Sequence, residues 1–254
     1  MLKNKVEELI DKYLDEVISI RRHIHQNPEL SLKEFNTSEF IVKELNKIGL
    51  DAQRGRENNG VVSNLNLGKG EKTLMLRADM DALPIQEETN FEFKSKNPGV
   101  MHACGHDVHT SILLGVSKVL NEIKDEINGN VKFVFQPAEE NNPTGGAPLM
   151  IKEGVLENPH VDNAVAFHVW DYPIGIALKP NAMMSESNRI FITIKGQASH
   201  ASKPHEGHDA IVCAAYLITQ LQTIVSRAID PSDVVVLTLS KINGGVRYNV
   251  LPGE

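Results

Sequence analysis

Apolar residues near the start of the chain recur at three- and four-residue steps. Val6, Leu9, Ile10, Tyr13, Leu14, Val17 and Ile18 form one stripe, so the spacing predicts an amphipathic helix. It runs into Arg21-Arg22-His23-Ile24-His25-Gln26-Asn27-Pro28-Glu29, where Pro28 should stop it. A second helix is expected over 36–48, with Thr37 or Ser38 near its cap and Gly49 at its end. The period then shortens. Segments 72–77, 131–135 and 164–170 are brief apolar runs, which predicts strands. Helices are expected between them, at about 109–126 and 147–153. Strands alternating with helices predict an α/β sheet.

The pattern changes after about Pro180. Residues 189–195 alternate polar and apolar, as a strand with one wet face does. A long apolar helix is expected over 207–229 and a further strand over 234–240. This predicts a larger α/β domain over 1–182 and a smaller α+β domain over 183–254.

Composition narrows the class. The chain has 254 residues, 41% hydrophobic and 23% charged, enough for a sizeable core. A net charge of −7 argues against nucleic-acid partners, which need a basic patch. No apolar run near the roughly 18 residues of a membrane span is evident. The acidic start is unlike a signal peptide, so a cytoplasmic setting is expected. Two cysteines make no disulfide framework. Cys213, in Ile211-Val212-Cys213-Ala214-Ala215, is expected as a small buried hydrophobe.

The other cysteine lies in Met101-His102-Ala103-Cys104-Gly105-His106-Asp107-Val108-His109, a thiol and three imidazoles within nine residues. That donor set suits zinc, nickel or cobalt. Cys104 and His106 can reach one point only from an extended or tightly turned backbone. Each predicted strand of the first domain also ends in metal-competent groups: Asp79 and Asp81, Glu139 and Glu140, and His168. The strand ends of open α/β sheets are where sites gather. Neighbours on an extended chain point to opposite sides, so one of Glu139 and Glu140 could ligate a metal while the other moves protons. Asp79 and Asp81 could instead only cap the following turn. His200, in a small-residue turn, could stabilise an oxyanion.

Together these segments resemble the M20 metallopeptidase family, in its amidohydrolase branch. The matching pieces are Arg22 with His25-Gln26-Asn27-Pro28-Glu29-Leu30-Ser31, then Leu76-Arg77-Ala78-Asp79-Met80-Asp81-Ala82-Leu83-Pro84 and Met101-His102-Ala103-Cys104-Gly105-His106-Asp107. Gln136-Pro137-Ala138-Glu139-Glu140, Phe167-His168-Val169-Trp170, Ser199-His200-Ala201-Ser202 with Pro204-His205 and Asp209, and Tyr248-Asn249-Val250-Leu251-Pro252 follow in order. The resemblance implies a zinc-peptidase-like mixed sheet with helices on both faces, carrying a smaller α+β lid and dimerisation domain. It implies two divalent metal ions (Zn, Mn, Ni or Co), with Cys104, His106, Glu140 and His168 as ligands. Glu139 matches the catalytic acid/base, His200 a catalytic lid histidine and Asn249 a substrate-binding lid residue. The implied reaction is hydrolysis of an N-acyl amino acid, by a homodimer joined through the lid.

The family pattern continues past Glu254, with further lid strands, a helix, and a return to the catalytic domain bearing a last metal-binding His. Both domains are therefore expected to be incomplete, with 234–240 left as an exposed edge. Competing readings are a dipeptidase or carboxypeptidase of the same superfamily, an inactive metal-binding fragment, and thiol catalysis by Cys104 with His106 or His109.

Overall fold

The first stripe folds as α1 (Leu2–Gln26), in a computed structural model that describes residues 2–65, 70, 72–141, 145–181, 183–184 and 186–254. The helix ends two residues before Pro28, which cannot continue it. Its stripe is split: Val6, Leu9, Tyr13 and Val17 are half-buried, while Ile10, Leu14 and Ile18 stay exposed. Full burial comes at Ile20, Ile24 and His25. α2 (Phe35–Lys47) starts earlier than the expected cap, so Thr37 and Ser38 lie inside its first turn. Its free N–H groups are met by Glu29, whose carboxylate accepts from the Asn36 and Thr37 amides at 3.2 and 2.8 Å.

Five strands form one sheet: β1 (Ala52–Arg54), β2 (Val61–Leu65), β3 (Thr73–Asp79), β4 (Asn130–Gln136) and β5 (Asn163–Ala166), in the order β1-β2-β4-β3-β5. β4, β3 and β5 are parallel neighbours, and β1 and β2 are antiparallel. The apolar pattern does not predict β1 and β2. β1 is Ala-Gln-Arg, and Ser63 and Asn64 interrupt the run in β2. Between β3 and β4 lies α3 (His106–Glu122), and α4 (Gly146–Lys152) lies between β4 and β5.

Alternation along β4 separates the two faces. Phe133 and Phe135, with Val61 and Leu65 of β2, pack against Ile20 and Ile24 of α1, Ile41 and Leu45 of α2, and Leu113 and Leu114 of α3. Lys132 points to the other face. Its ammonium donates to the carbonyls of Val155, Glu157 and Pro159 at 2.8, 2.8 and 2.9 Å, tying down the segment after α4. Helices α1, α2 and α3 thus cover one face, and the turns after α4 lie against the other.

The register fixes where the chemistry falls. Asp79 is opposite Gln136, and Arg77 is opposite both Val134 and Ala166. The carboxyl ends of β3, β4 and β5 therefore leave the sheet side by side. β5 stops at Ala166, short of the expected 170, and all four of its residues are exposed.

The chain forms two compact units, Met1–Asn188 and Arg189–Glu254. In the second, β6 (Ser199–His200) pairs with β7 (Val250–Leu251), and α5 (Ala210–Thr223) runs on into a wider turn at Ile224–Ala228. The expected strands at 189–195 and 234–240 do not form ladders. Ile190, Phe191, Val234 and Val236 are each about four-fifths exposed. Alternation supplies strand propensity, but a strand needs a neighbour to pair with. Cys213 is exposed rather than buried, because little packs on α5 and only its Ala210 is buried. The run Ala210–Ala228, at 19 residues, is by length and composition long and apolar enough to cross a bilayer, against the expectation of none. Its Thr and Gln residues break up the apolar stretch along the sequence.

Candidate metal centre

The tight turn required at Cys104-Gly105-His106 is made by Gly105. Its φ is 83°, and a Cβ there would lie 2.4 Å from Val169 Cγ2. Only glycine meets both conditions. α3 begins immediately after it, with His106 as its first residue.

His106 is fully buried. Its Nδ1 donates to the Asp81 carbonyl at 2.9 Å and approaches the Asp81 carboxylate at 3.2 Å. Nε2 has no hydrogen-bond partner, and it is the nitrogen that offers a lone pair once the ring gives up its second proton. Nε2 faces Glu139 Oε2 and Glu140 Oε1, each at 4.0 Å. Glu140 Oε1 is likewise buried and unpartnered. His168, two residues past β5, donates from Nδ1 to the Val169 carbonyl at 2.6 Å. Its Nε2 then faces Cys104 Sγ at 3.4 Å. Donor atoms of Cys104, His106 and His168 lie within 4.8 Å of one another, and so do those of His106, Glu139 and Glu140. Buried polar atoms with no partner are rare and costly. A divalent cation fits them: thiolate, imidazole and carboxylate donors turn their free lone pairs toward one region.

Asp79 and Asp81 support these donors rather than joining them. Asp81 Oδ1 accepts from the Glu139 amide at 3.1 Å, and Oδ2 from the Glu140 amide and Ser31 hydroxyl at 3.0 and 2.6 Å. Asp79 accepts from His109 Nδ1 at 2.5 Å and Arg77 Nη1 at 2.6 Å. His109 Nε2 accepts from the Val169 amide at 2.9 Å. Asp79, His109, His106 also form a close group, but both His109 nitrogens are already engaged. The chain Asp79–His109–Val169 instead fixes the segment carrying His168. Partners of this kind orient metal ligands and tune them.

The electrostatics follow. Burial opposes the charged form of Asp81, yet its bonds from His106, Ser31 and the Glu140 amide keep its pKa below the ordinary value. Asp79 is lowered likewise, with His109 and the charges of His106 and Arg77 outweighing burial. Burial also works against imidazolium at His106, but the bond to Asp81, the nearby Cys104 sulfur and the two aspartate charges hold its pKa up at about 11. Glu139 is pushed up by burial and then by the Glu140 charge. His102, buried with neither nitrogen partnered, is pushed down to about 4 by burial. One further group braces α3. Asp107 accepts from His25 Nδ1 at 2.8 Å and pairs with Arg21 Nε at 2.7 Å, joining α1 to the helix that starts with His106.

Five of the seven predicted site residues, Cys104, His106, Glu139, Glu140 and His168, come together in the first unit. The other two, His200 and Asn249, come together in the second: His200 pairs with Val250, and the Ala201 amide donates to the Asn249 carbonyl at 3.2 Å. His200 Nδ1 accepts from the Ser202 amide at 3.2 Å, which leaves the ring proton on Nε2. The clamp by Asp81 and the chain through His109 are not legible as such in the sequence. The signal available was two carboxylates after a strand and a His three residues beyond His106.

A mixed α/β sheet whose parallel strand ends gather thiolate, imidazole and carboxylate donors defines a metallohydrolase-like class of fold. The chain belongs to peptidase family M20/M25/M40, whose pattern matches residues 75–245. It is 44% identical to an N-acyl-L-amino acid amidohydrolase of Geobacillus stearothermophilus, over all of this chain and 68% of that protein. It is 40% identical to thermostable carboxypeptidase 2 of Saccharolobus solfataricus, over all of this chain and 64% of that one. Among solved structures it is similar to the Bacillus subtilis YXEP protein, described as a dinuclear metal binding peptidase from the M20 family. The TM-score is 0.68 at 29% identity, covering 96% of this chain and 62% of that one. The chain thus spans about two thirds of the length of these relatives.

Proposed function

We propose that the chain is the metal-binding part of an amidohydrolase that cleaves N-acyl amino acids to a carboxylic acid and a free amino acid. The observation that carries this is the pair of buried, unpartnered donors, His106 Nε2 and Glu140 Oε1, facing each other beside Cys104, His168 and Glu139. Similarity to the Geobacillus amidohydrolase supports the substrate class. In this reading Cys104, His106, Glu140 and His168 hold two divalent ions (Zn, Mn, Ni or Co). Bound there, the ions would supply an acidified water and an electrophile for the amide oxygen.

The protein's own groups do the rest. Glu139, half-buried and with a raised pKa, takes the proton of the attacking water and returns it to the leaving amine. His200 offers an Nε2 proton to the oxyanion, and Asn249 contacts the substrate. The domain over 1–182 is the catalytic one, and that over 183–254 is a lid through which two copies pair, in the cytoplasm.

Glu139→Gln is expected to lower kcat roughly 100- to 10,000-fold, the range general acid/base groups contribute, with metal content unchanged by elemental analysis. Near-normal turnover would remove Glu139 from this role. The 40% identity to a carboxypeptidase favours a second reading, cleavage of a C-terminal residue from a peptide. Comparing acetyl and benzoyl amino acids with dipeptides separates the two.

A further inference from the structure

Three consecutive amides, those of Ala138, Glu139 and Glu140, are taken by two buried carboxylates from distant parts of the chain. Asp81 takes the last two. The first belongs to Glu34, whose Oε1 accepts from the Ala138 amide at 2.7 Å. Glu34 is fully buried, at the N-cap of α2. Its other oxygen accepts from Asn59 Nδ2 at 3.0 Å, and its carbonyl accepts from the Ser38 hydroxyl and amide. Both carboxylate oxygens are thus engaged, and the side chain has little freedom to leave.

What it holds is an uncommon turn. Ala138 is fully buried with φ of 51°, a conformation L-residues with a Cβ rarely adopt without support. The chain must reverse there so that Glu139 and Glu140 face His106 rather than continue along β4. The Ala138 carbonyl accepts from the Gly146 amide at 3.1 Å, and a Cβ on Gly146 would lie 1.9 Å from the Pro137 carbonyl oxygen. The turn is therefore gripped on both sides. Burial raises the Glu34 pKa, while the Asn59 bond and the surrounding amides pull it back.

We infer that Glu34 is a positioning residue for the centre: it anchors the turn at Ala138 and so sets where Glu139 and Glu140 stand relative to His106. Glu34 touches none of the donor atoms and acts through the backbone. The inference rests on the metal-centre reading above, and the two can fail separately.

The test is a metal titration of the full 254-residue chain with zinc or cobalt, in parallel with hydrogen exchange at residues 138–140. Glu34→Ala is expected to weaken metal affinity about tenfold or more, as loss of an outer partner of a metal site does. Exchange at Ala138, Glu139 and Glu140 should quicken while the amides of β4 stay protected. Glu34→Gln keeps an acceptor for the Ala138 amide but loses the one for Asn59 Nδ2, and should recover part of the affinity lost in Glu34→Ala. Ile41→Val, a core change in the same helix, controls for general loosening and should leave affinity within twofold. Affinity within twofold of the parent in folded Glu34→Ala, or an equal loss in Ile41→Val, would overturn the inference. If the unsubstituted chain takes up no metal, the metal-centre reading fails first and the role of Glu34 falls with it.

Discussion

Gly105 shows how much of the centre depends on single positions. An alanine there would carry about 1–2 kcal/mol for its left-handed backbone, before the 2.4 Å approach to Val169 is relieved. Gly105→Ala should therefore lower the denaturation midpoint and weaken metal binding together, since the turn and the His168 segment must both move. Calorimetry beside a metal titration checks it. His106 makes a prediction about pH. With its pKa near 11 without metal, the ring is protonated at pH 7, and a metal must displace that proton. Affinity should rise with pH, by about tenfold per unit for one proton released, and proton release should be measurable in weakly buffered solution. In the metal-free protein the sign is opposite. A pKa raised from 6.5 contributes stability that is complete below about 6.5 and fades as pH climbs toward 11. Metal-free stability that rose across that window would contradict the environment described for His106.

The elements explain why these residues meet. β4, β3 and β5 run parallel and in register, so the segments leaving them carry Glu139 and Glu140, Asp81, and His168 to one end of the sheet. This much was legible, because short apolar runs ending in carboxylates or His mark strand ends. The fastening was not. Asp81 and His109 stand out in sequence only as metal-competent groups and Glu34 not at all, and their fastening roles arise from pairings across 58, 60 and 104 residues. Asp81→Asn is expected to lower metal affinity roughly 10- to 100-fold, because an amide cannot offer acceptors to His106, Ser31 and two backbone amides at once. A titration showing unchanged affinity would mean that the Glu139–Glu140 segment holds its place unaided.

At the scale of the molecule the two units contrast. The first has a packed core around Phe133 and Phe135. The second has one two-residue ladder among the described residues, and apolar side chains at 190–192 and 234–236 that face solvent. The alternation at 189–195 and the apolar run at 234–240 predicted strands that do not pair here, since patterning marks a face to be covered without supplying the cover. Metal binding should stabilise the first unit selectively, by about 2.7 kcal/mol at a hundredfold excess over Kd. Scanning calorimetry with and without chelator should show a transition that moves and, for residues 189–254, none that does.

Whether Cys104, His106, Glu140 and His168 hold a metal is tested most directly by cobalt titration, followed by absorption spectroscopy. A cobalt–thiolate charge-transfer band should grow to saturation in the parent chain and in Cys213→Ser, and vanish in Cys104→Ser. A band that persists in Cys104→Ser, or that never forms in the parent, would contradict the assignment.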